Sequence, residues 1–130
     1  MADPVLAAAW QAREHAWCPY SGFAVGAAIE THDGHWFAGC NVENASYALT
    51  ICAERAAVAA AIAAGARRIR RIVVVAEIDP PVSPCGACRQ ALWEFGPDLV
   101  IESASRCARR TWHLQDLLPD AFTSGKRAHD

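Results

Sequence analysis

Three cysteines and one glutamate have the residue types and the spacing of a catalytic metal site. Cys52 and Glu54 lie two residues apart, and Cys85 and Cys88 lie three residues apart further along the chain. Zinc prefers thiolate and imidazole ligands in a tetrahedral arrangement, and a catalytic zinc keeps one of the four positions open for water. The cysteines therefore predict a zinc ion held by Cys52, Cys85 and Cys88, with one open position.

Glu54 is the candidate proton carrier of this site. Its spacing from Cys52 places it at the same end of a predicted helix, near the metal without being a ligand. A carboxylate there can take a proton from water at the metal and deliver it to a substrate nitrogen. The alternative is an ordinary solvated glutamate, and the neighbouring cysteines argue against it.

The predicted ligand set carries excess negative charge. Three thiolates outweigh the charge of a divalent ion, which weakens its activation of water. Arg55 directly follows Glu54 and is predicted to hydrogen-bond the cysteine sulfurs, with Arg89, which follows Cys88, as a second candidate. Helix N-termini at Cys52 and Cys85 would add partial positive charge. The alternative for either arginine is a position on the surface.

The cysteines leave two other interpretations open. A structural zinc site usually has four protein ligands, and Cys18, Cys40 or Cys107 could supply the fourth if the fold brought it near. Alternatively, the cysteines bind no metal and are buried free thiols.

The elements that must position these residues follow from hydrophobic patterning, helix caps and turn signals. Residues 41–50 form a polar segment without a clear period, which predicts a functional loop. Asp33 and Gly34 predict a hairpin turn. We predict helices over residues 3–16, 51–64, 86–95 and 114–118, strands over 23–29, 36–40, 69–76, 99–102 and 107–112, and a rigid loop over 79–84. This alternation predicts the α/β class, with one sheet between layers of helices.

Composition limits the classes of function. The chain has 130 residues and is 53% hydrophobic, which predicts one domain over residues 1–130 with a flexible polar tail at 123–130. A net charge of −2 argues against a nucleic-acid partner. No apolar run approaches the roughly 20 residues that cross a bilayer, and no signal peptide is visible, so we expect a cytoplasmic protein without membrane attachment.

Longer motifs around these residues resemble a known family. The motifs are Tyr-Ser-Gly-Phe-Ala-Val-Gly-Ala-Ala at 20–28, Gly-Cys-Asn-Val-Glu-Asn-Ala-Ser-Tyr at 39–47, Cys-Ala-Glu-Arg at 52–55, Ser-Pro-Cys-Gly-Ala-Cys-Arg-Gln at 83–90 and Leu-Leu-Pro-Asp-Ala-Phe at 117–122. In this order, over residues 19–122, the chain resembles cytidine deaminases of the small homotetrameric type.

This resemblance implies a fold and a reaction. The fold is a three-layer α/β/α sandwich with a mixed five-stranded sheet. The reaction is hydrolysis of cytidine and 2′-deoxycytidine to uridine products and ammonia in pyrimidine salvage, with one zinc ion per subunit. In zinc deaminases as a class, a glutamate shuttles protons while three side chains hold the metal. By motif, Cys52, Cys85 and Cys88 would be those ligands and Glu54 the shuttle.

The resemblance also implies a substrate site. Asn41 and Glu43 would bind the ribose hydroxyls, and residues two apart on an extended segment do face the same way. Phe23 would line the base pocket, and Ala53 and Cys85 would offer backbone groups to the pyrimidine. Tyr47 and Phe122 would reach the site of a neighbouring subunit, so that the homotetramer completes each pocket.

Two alternative substrates remain open. Blasticidin-S deaminases share the cysteine pattern, although the run Asn-Val-Glu-Asn at 41–44 favours a plain nucleoside. A polynucleotide substrate would use the arginines at 67, 68, 70 and 71, which otherwise predict a solvated loop before a buried strand. The basic run at residues 107–112 has no role that the sequence identifies.

Overall fold

The computed structural model describes residues 2–125, which form four α-helices, one short 3-10 helix and five strands. The helices are α1 (Pro4–Arg13), α2 (Ala53–Ala63), α3 (Gly86–Trp93) and α4 (Leu114–Leu117), and the strands are β1 (Val25–Thr31), β2 (Trp36–Cys40), β3 (Ile69–Ala76), β4 (Val100–Ala104) and β5 (Arg109–His113). Within the described residues, no helix is long and apolar enough to cross a lipid bilayer. Residues 126–130 of the predicted tail lie outside the described part.

All five strands join one sheet in the order β2-β1-β3-β4-β5. β3 and β4 are parallel, while the other three neighbouring pairs are antiparallel. The parallel pair needs a crossover connection, and α3 lies in it. The predicted mixed five-stranded sheet is confirmed.

Alternating side chains of the strands divide the core between the two faces of the sheet. Ile72 and Val74 pack on the face that also holds Ala57 of α2 and Leu92 of α3. Their neighbours Val73 and Val75 pack on the opposite face with α1. Successive strand residues point to opposite faces, so a run that is apolar at every position predicts a sheet covered on both sides. The predicted three-layer α/β/α sandwich is confirmed.

Glycine at two strand positions allows the helices to approach the sheet closely. A Cβ at Gly26 of β1 would lie 2.0 Å from the carbonyl oxygen of Ala9 in α1. A Cβ at Gly39 of β2 would lie 2.5 Å from the amide nitrogen of Ala57 in α2. Both contacts are with helix backbone, so neither glycine can be replaced without moving a helix.

The start of α2 differs from its prediction in a way that matters for the candidate site. The helix begins at Ala53 rather than at residue 51, because Cys52 has extended backbone and acts as the N-cap. Ile51 instead pairs with Val42 in an isolated antiparallel bridge. Within the predicted loop at 41–50, residues Tyr47–Leu49 form the 3-10 helix. Cys52 and Glu54 therefore both lie at the N-terminus of α2.

Candidate metal centre and active site

Two helix N-termini bring the three predicted ligands together. Cys52 is the N-cap of α2 and Cys85 is the N-cap of α3, while Cys88 lies one turn into α3. The three sulfurs lie within 4.8 Å of one another, and those of Cys85 and Cys88 are 3.5 Å apart. Tetrahedral zinc with Zn–S bonds of about 2.3 Å needs sulfurs about 3.8 Å apart. The donor set and its spacing therefore fit a zinc ion.

The fold does not supply a fourth thiol to this cluster. All six cysteines lie in the described residues and are free, and Cys52, Cys85 and Cys88 are the only ones that converge as a possible metal site there. The Cys107 thiol donates instead to Asp79 Oδ2 at 3.4 Å. The cluster therefore offers three thiol ligands, the number expected of a catalytic zinc site, and not the four of a thiolate structural site.

Arg55 lies against the thiolate cluster. Its Nη2 donates to the Thr50 carbonyl at 3.1 Å and lies 3.8 Å from Cys52 Sγ. The pKa of Cys52 is lowered to about 5 because the Cys88 thiol donates a hydrogen bond to its sulfur and because Arg55 attracts its charge. Conversely, the hydrogen bond to Cys52, together with burial, raises the pKa of Cys88. The Arg55 guanidinium is thus placed where the sequence predicts charge balance.

The side chain of Arg89 lies against the loop before Cys85 and the end of α4. Its Nε donates to the Pro84 carbonyl at 2.8 Å, Nη1 to the Leu117 carbonyl at 3.0 Å and Nη2 to Ser83 Oγ at 2.7 Å. All three nitrogens of the guanidinium are therefore committed to oxygen acceptors rather than to sulfur. Among the described residues, Arg89 therefore donates to the loop before Cys85 and to the end of α4 and not to a cysteine sulfur, and its help in balancing the thiolates stays a prediction.

Glu54 is a buried carboxylate beside the cysteines. It lies in the first turn of α2 and is 6% exposed. Burial raises the pKa of Glu54, and the negative charge of Cys52 raises it further. A raised pKa makes a carboxylate a stronger proton acceptor, which is a property that a general acid–base group needs.

A cavity of about 210 Å³ opens beside the metal centre. Its lining contains two of the three cysteines, the buried carboxylate and walls from β3, β4 and the loop before α3. The lining residues are Phe23, Val25, Asn41, Thr50, Cys52, Ala53, Glu54, Val74, Ala76, Ile78, Pro81, Val82, Ser83, Pro84, Cys85, Ser103 and Ala104. Apart from its few polar groups the lining is mostly apolar, as small-molecule sites generally are.

Four of the predicted substrate contacts, Phe23, Asn41, Ala53 and Cys85, line this cavity. Asn41 is 8% exposed, and its side-chain amide donates to the Phe23 carbonyl at 2.8 Å and accepts from the Val25 amide at 2.9 Å. The amide thus holds the backbone on either side of residue 24, where β1 begins. Phe23 itself is 39% exposed, which leaves its ring available at the cavity mouth.

Glu43 and Tyr47 line a second recess rather than the main cavity. The recess is formed with Tyr20, Ser21 and Thr50, and Thr50 lines both cavities. Glu43 Oε1 accepts hydrogen bonds from the amides of Tyr20 at 3.0 Å and Ser21 at 3.1 Å. The hydroxyl of Ser21 donates to the other carboxylate oxygen and lowers the pKa of Glu43. Asn41 and Glu43 are therefore brought near each other but not into one cavity.

Phe122 lies outside both cavities of its own chain. Its ring is 77% exposed, while its backbone bonds to the side chain of Gln90 in α3. Sequence reasoning overlooked Thr50 and Ser103, which line the main cavity, and Gln90, which holds the backbone of Phe122. For Ser103 a signal existed, because it lies two residues after Ile101 and so on the same face of the strand, where a buried hydroxyl needs a partner.

The basic cluster at residues 67–71 is largely neutralised or bonded within the chain. Arg71 is held between Asp3 at 3.0 Å, Glu30 at 3.1 Å and Glu102 at 2.8 Å. Arg70 pairs with Glu30 at 3.6 Å, and Arg67 donates to the carbonyls of residues 62 and 66. Arg71 is therefore neutralised within the fold, and Arg67 and Arg70 also have partners in the chain.

A mixed sheet between helical layers, with three convergent thiols and a buried carboxylate at helix N-termini, defines a zinc-binding α/β domain of catalytic type. Residues 2–104 match the family model of the cytidine and deoxycytidylate deaminase zinc-binding region. The chain belongs to this family.

Several relatives in sequence and structure are cytidine deaminases. One from Halalkalibacterium halodurans is 47% identical over 116 residues, which cover 88% of each chain. The crystal structure of cytidine deaminase from Burkholderia pseudomallei superposes with a TM-score of 0.88 at 50% identity, covering 94% of this chain and all of that one. A blasticidin-S deaminase from Bacillus cereus is more distant, with 32% identity over 109 residues and 76% of each chain covered.

Proposed function

We propose that the protein hydrolyses cytidine and 2′-deoxycytidine to uridine and 2′-deoxyuridine with release of ammonia, a reaction of pyrimidine salvage. The observation that carries this proposal is the position of Glu54. This carboxylate is buried, has a raised pKa, and lines the same cavity as Cys52 and Cys85. The names and high coverage of the relatives support the choice of a cytosine nucleoside as substrate.

Cys52, Cys85 and Cys88 are the proposed ligands of one zinc ion per subunit, with Arg55 balancing their charge. Zinc in such a site supplies a nucleophile by lowering the pKa of a coordinated water to about 7. Glu54 would accept a proton from the attacking water and deliver it to N3 of the cytosine ring. Once the water oxygen has added to C4, Glu54 would take the proton of the new C4 hydroxyl and pass it to the amino group. The C4–N bond would then break as the C4 carbonyl forms, leaving ammonia and a uracil ring.

The proposed substrate contacts divide between the two cavities. Phe23 would pack against the base, and the backbone at Ala53 and Cys85 would bond the pyrimidine edge. Asn41 and Glu43 would bond the ribose hydroxyls. Both polar side chains already have partners in the chain, which orders them before substrate arrives and lowers the entropic cost of binding.

The proposed homotetramer accounts for large apolar side chains on the surface of the single domain. Tyr47 is 76% exposed and Phe122 is 77% exposed, although both have ordered backbones. Trp17 and Leu49 add to the exposed apolar area. Burial against neighbouring subunits would bring Tyr47 and Phe122 to the sites of other copies. Light scattering on the purified protein measures this directly, and a mass of one 14.0 kDa chain would contradict it.

The state of the cysteines supports a cytoplasmic location. All six are free, and three of them converge on the metal centre. Disulfides form and persist in oxidising compartments, whereas thiolate metal sites are common where thiols stay reduced. Localisation of a tagged protein in fractionated cells tests this expectation.

A turnover assay tests the proposed reaction. Purified zinc-loaded protein is expected to convert cytidine to uridine with stoichiometric release of ammonia, and 2′-deoxycytidine in parallel. Blasticidin S serves as the competing substrate, measured by kcat/KM on the same preparation. Conversion of blasticidin S with a kcat/KM above that of cytidine would overturn the choice of substrate, and absence of any turnover would overturn the proposed function.

A further inference from the structure

The loop between β3 and α3 joins the cavity wall to the metal centre. Residues 81–84 line the main cavity, and the next residue is Cys85. Three of the six residues at 79–84 are prolines, which have no backbone N–H. Such a loop can form few backbone hydrogen bonds of its own, so donors from elsewhere must satisfy its carbonyl groups and fix its path.

Ser103 of β4 and Arg110 of β5 supply these donors to adjacent residues of the loop. The Ser103 hydroxyl, which is 3% exposed, donates to the Val82 carbonyl at 2.7 Å. Nη1 of Arg110 donates to the Pro81 carbonyl at 3.2 Å. The Arg110 guanidinium also lies 4.6 Å from the ring centroid of Trp112, which restricts its position.

The two donor residues are neighbours across adjacent strands of the sheet. Ser103 and Arg110 are directly paired in the antiparallel register of β4 and β5, so their side chains leave the same face. On the far side of the loop, Arg89 holds Ser83 and Pro84. Residues 81 and 82 are therefore tied to the sheet, and residues 83 and 84 are tied to α3.

Arg109 has the same residue type but a different role. It neighbours Arg110 on β5, and its guanidinium bonds Glu102 at 3.0 Å and lies 3.8 Å from Asp3. These partners belong to the ion-pair cluster under α1, away from the loop. Arg109 thus provides a matched control for the loss of one arginine from the same strand.

We propose that Ser103 and Arg110 are positioning residues of the metal centre. By holding the carbonyls of Val82 and Pro81, they fix the cavity wall and the backbone from which Cys85 presents its sulfur. The basic run at residues 107–112, which the sequence left without a role, thereby acquires one. The part of this inference that concerns substrate rests on the proposed function, whereas the part that concerns the loop and the metal does not.

The test compares Arg110→Met and Ser103→Ala with Arg109→Met. Methionine keeps an unbranched apolar stem and removes the donors, and Ser103→Thr restores the hydroxyl at position 103. Three quantities are measured on zinc-loaded protein: the rate of zinc release to a colorimetric chelator, hydrogen–deuterium exchange of the peptide over residues 82–88, and KM and kcat for cytidine.

Arg110→Met and Ser103→Ala are expected to release zinc about three to ten times faster, as the loss of one hydrogen bond implies. In both variants the backbone amides of residues 82–88 should exchange hydrogen for deuterium faster, and KM for cytidine should rise by a larger factor than kcat falls. Ser103→Thr should restore wild-type values, and Arg109→Met should leave zinc release and the exchange of this peptide unchanged even where it lowers Tm.

Wild-type zinc release and exchange in both Arg110→Met and Ser103→Ala would overturn the proposal. Equal changes in Arg109→Met and Arg110→Met would overturn it too, because they would indicate general destabilisation. If the wild type fails to convert cytidine, the proposed function fails, while the zinc-release and exchange measurements still decide the inference.

Discussion

The side chain of Gln90 and the backbone of Phe122 bond to each other twice. Gln90 Nε2 donates to the Phe122 carbonyl at 2.9 Å, and the Phe122 amide donates to Gln90 Oε1 at 3.2 Å. These two hydrogen bonds attach the chain at Phe122 to α3. The point of attachment, Gln90, lies two residues after Cys88. Phe122 itself is 77% exposed, so these bonds hold in place an aromatic residue that the proposed homotetramer would bury against a neighbouring subunit.

Gln90→Ala is therefore expected to raise KM for cytidine by about three- to tenfold, in line with the loss of one or two hydrogen bonds. If Gln90 acts through Phe122, the double variant with Phe122→Ala should be no worse than Phe122→Ala alone. Gln11→Ala, on the exposed face of α1, is the matched control. Additive effects of the two substitutions on KM would contradict the coupling.

Glu54→Gln should separate chemistry from metal binding. The substitution keeps the size of the side chain but removes its ability to carry a proton, so kcat is expected to fall by about 10²- to 10⁴-fold. Zinc content, measured by atomic emission, should stay at the wild-type level because Glu54 is not a proposed ligand. Glu94→Gln, an exposed position just after α3, is the control and should retain full activity. A Glu54→Gln protein with wild-type kcat would remove Glu54 from the mechanism.

Arg55→Gln tests whether a positive charge beside Cys52 sustains the metal centre. Loss of a charge-assisted contact is expected to lower kcat/KM about tenfold or more and to speed zinc release. Arg55→Lys should recover part of both quantities, since lysine keeps the charge but not the planar fork. Arg68→Gln, at an exposed position after α2, serves as the control. Full activity together with unchanged zinc release in Arg55→Gln would show that the thiolates need no such help.

Asp3→Asn tests the ion pairs that join α1 to the sheet. Asp3 caps α1 and accepts two hydrogen bonds from Arg71, and the bond from Arg71 lowers the pKa of Asp3 below its ordinary value of 3.8. Asparagine keeps the cap but not the charge. At pH 7 the variant should lose about 1 to 2 kcal/mol of unfolding free energy, between the effects typical of exposed and buried pairs.

The pH dependence of this effect follows from the direction of the pKa shift. A carboxyl group with a lowered pKa in the folded state stabilises it fully above 3.8, where both states are ionised, and this contribution disappears as pH falls through the folded-state value. Urea denaturation from pH 7 to pH 3 should therefore show wild type and Asp3→Asn converging at the acid end. Asp98→Asn, at an exposed position, should follow the wild type throughout. A stability gap that persists undiminished below pH 3.8 would contradict the role of the Asp3 charge.

The candidate site was predictable where local spacing decides the geometry. The three-residue step from Cys85 to Cys88 makes about one helical turn, and a cysteine at an N-cap faces the free N–H groups of its helix, whatever the rest of the chain does. Alternating faces of the apolar strands likewise predict a sheet covered on both sides. The ends of elements were less predictable, as at Ile51, where a bridge to Val42 competes with the helix propensity of the following alanines.

By itself the sequence determined the thiol ligand set, the neighbouring carboxylate and the α/β class, because each depends on residue type and short-range period. The tertiary structure decided which side chains meet across long separations. It directs Arg89 to oxygen acceptors and Arg55 to sulfur, places Glu43 in a recess beside the main cavity, and pairs Ser103 with Arg110 beneath the loop that ends at Cys85. Hydrogen bonds between distant residues follow from strand register and helix packing, and no local pattern encodes these.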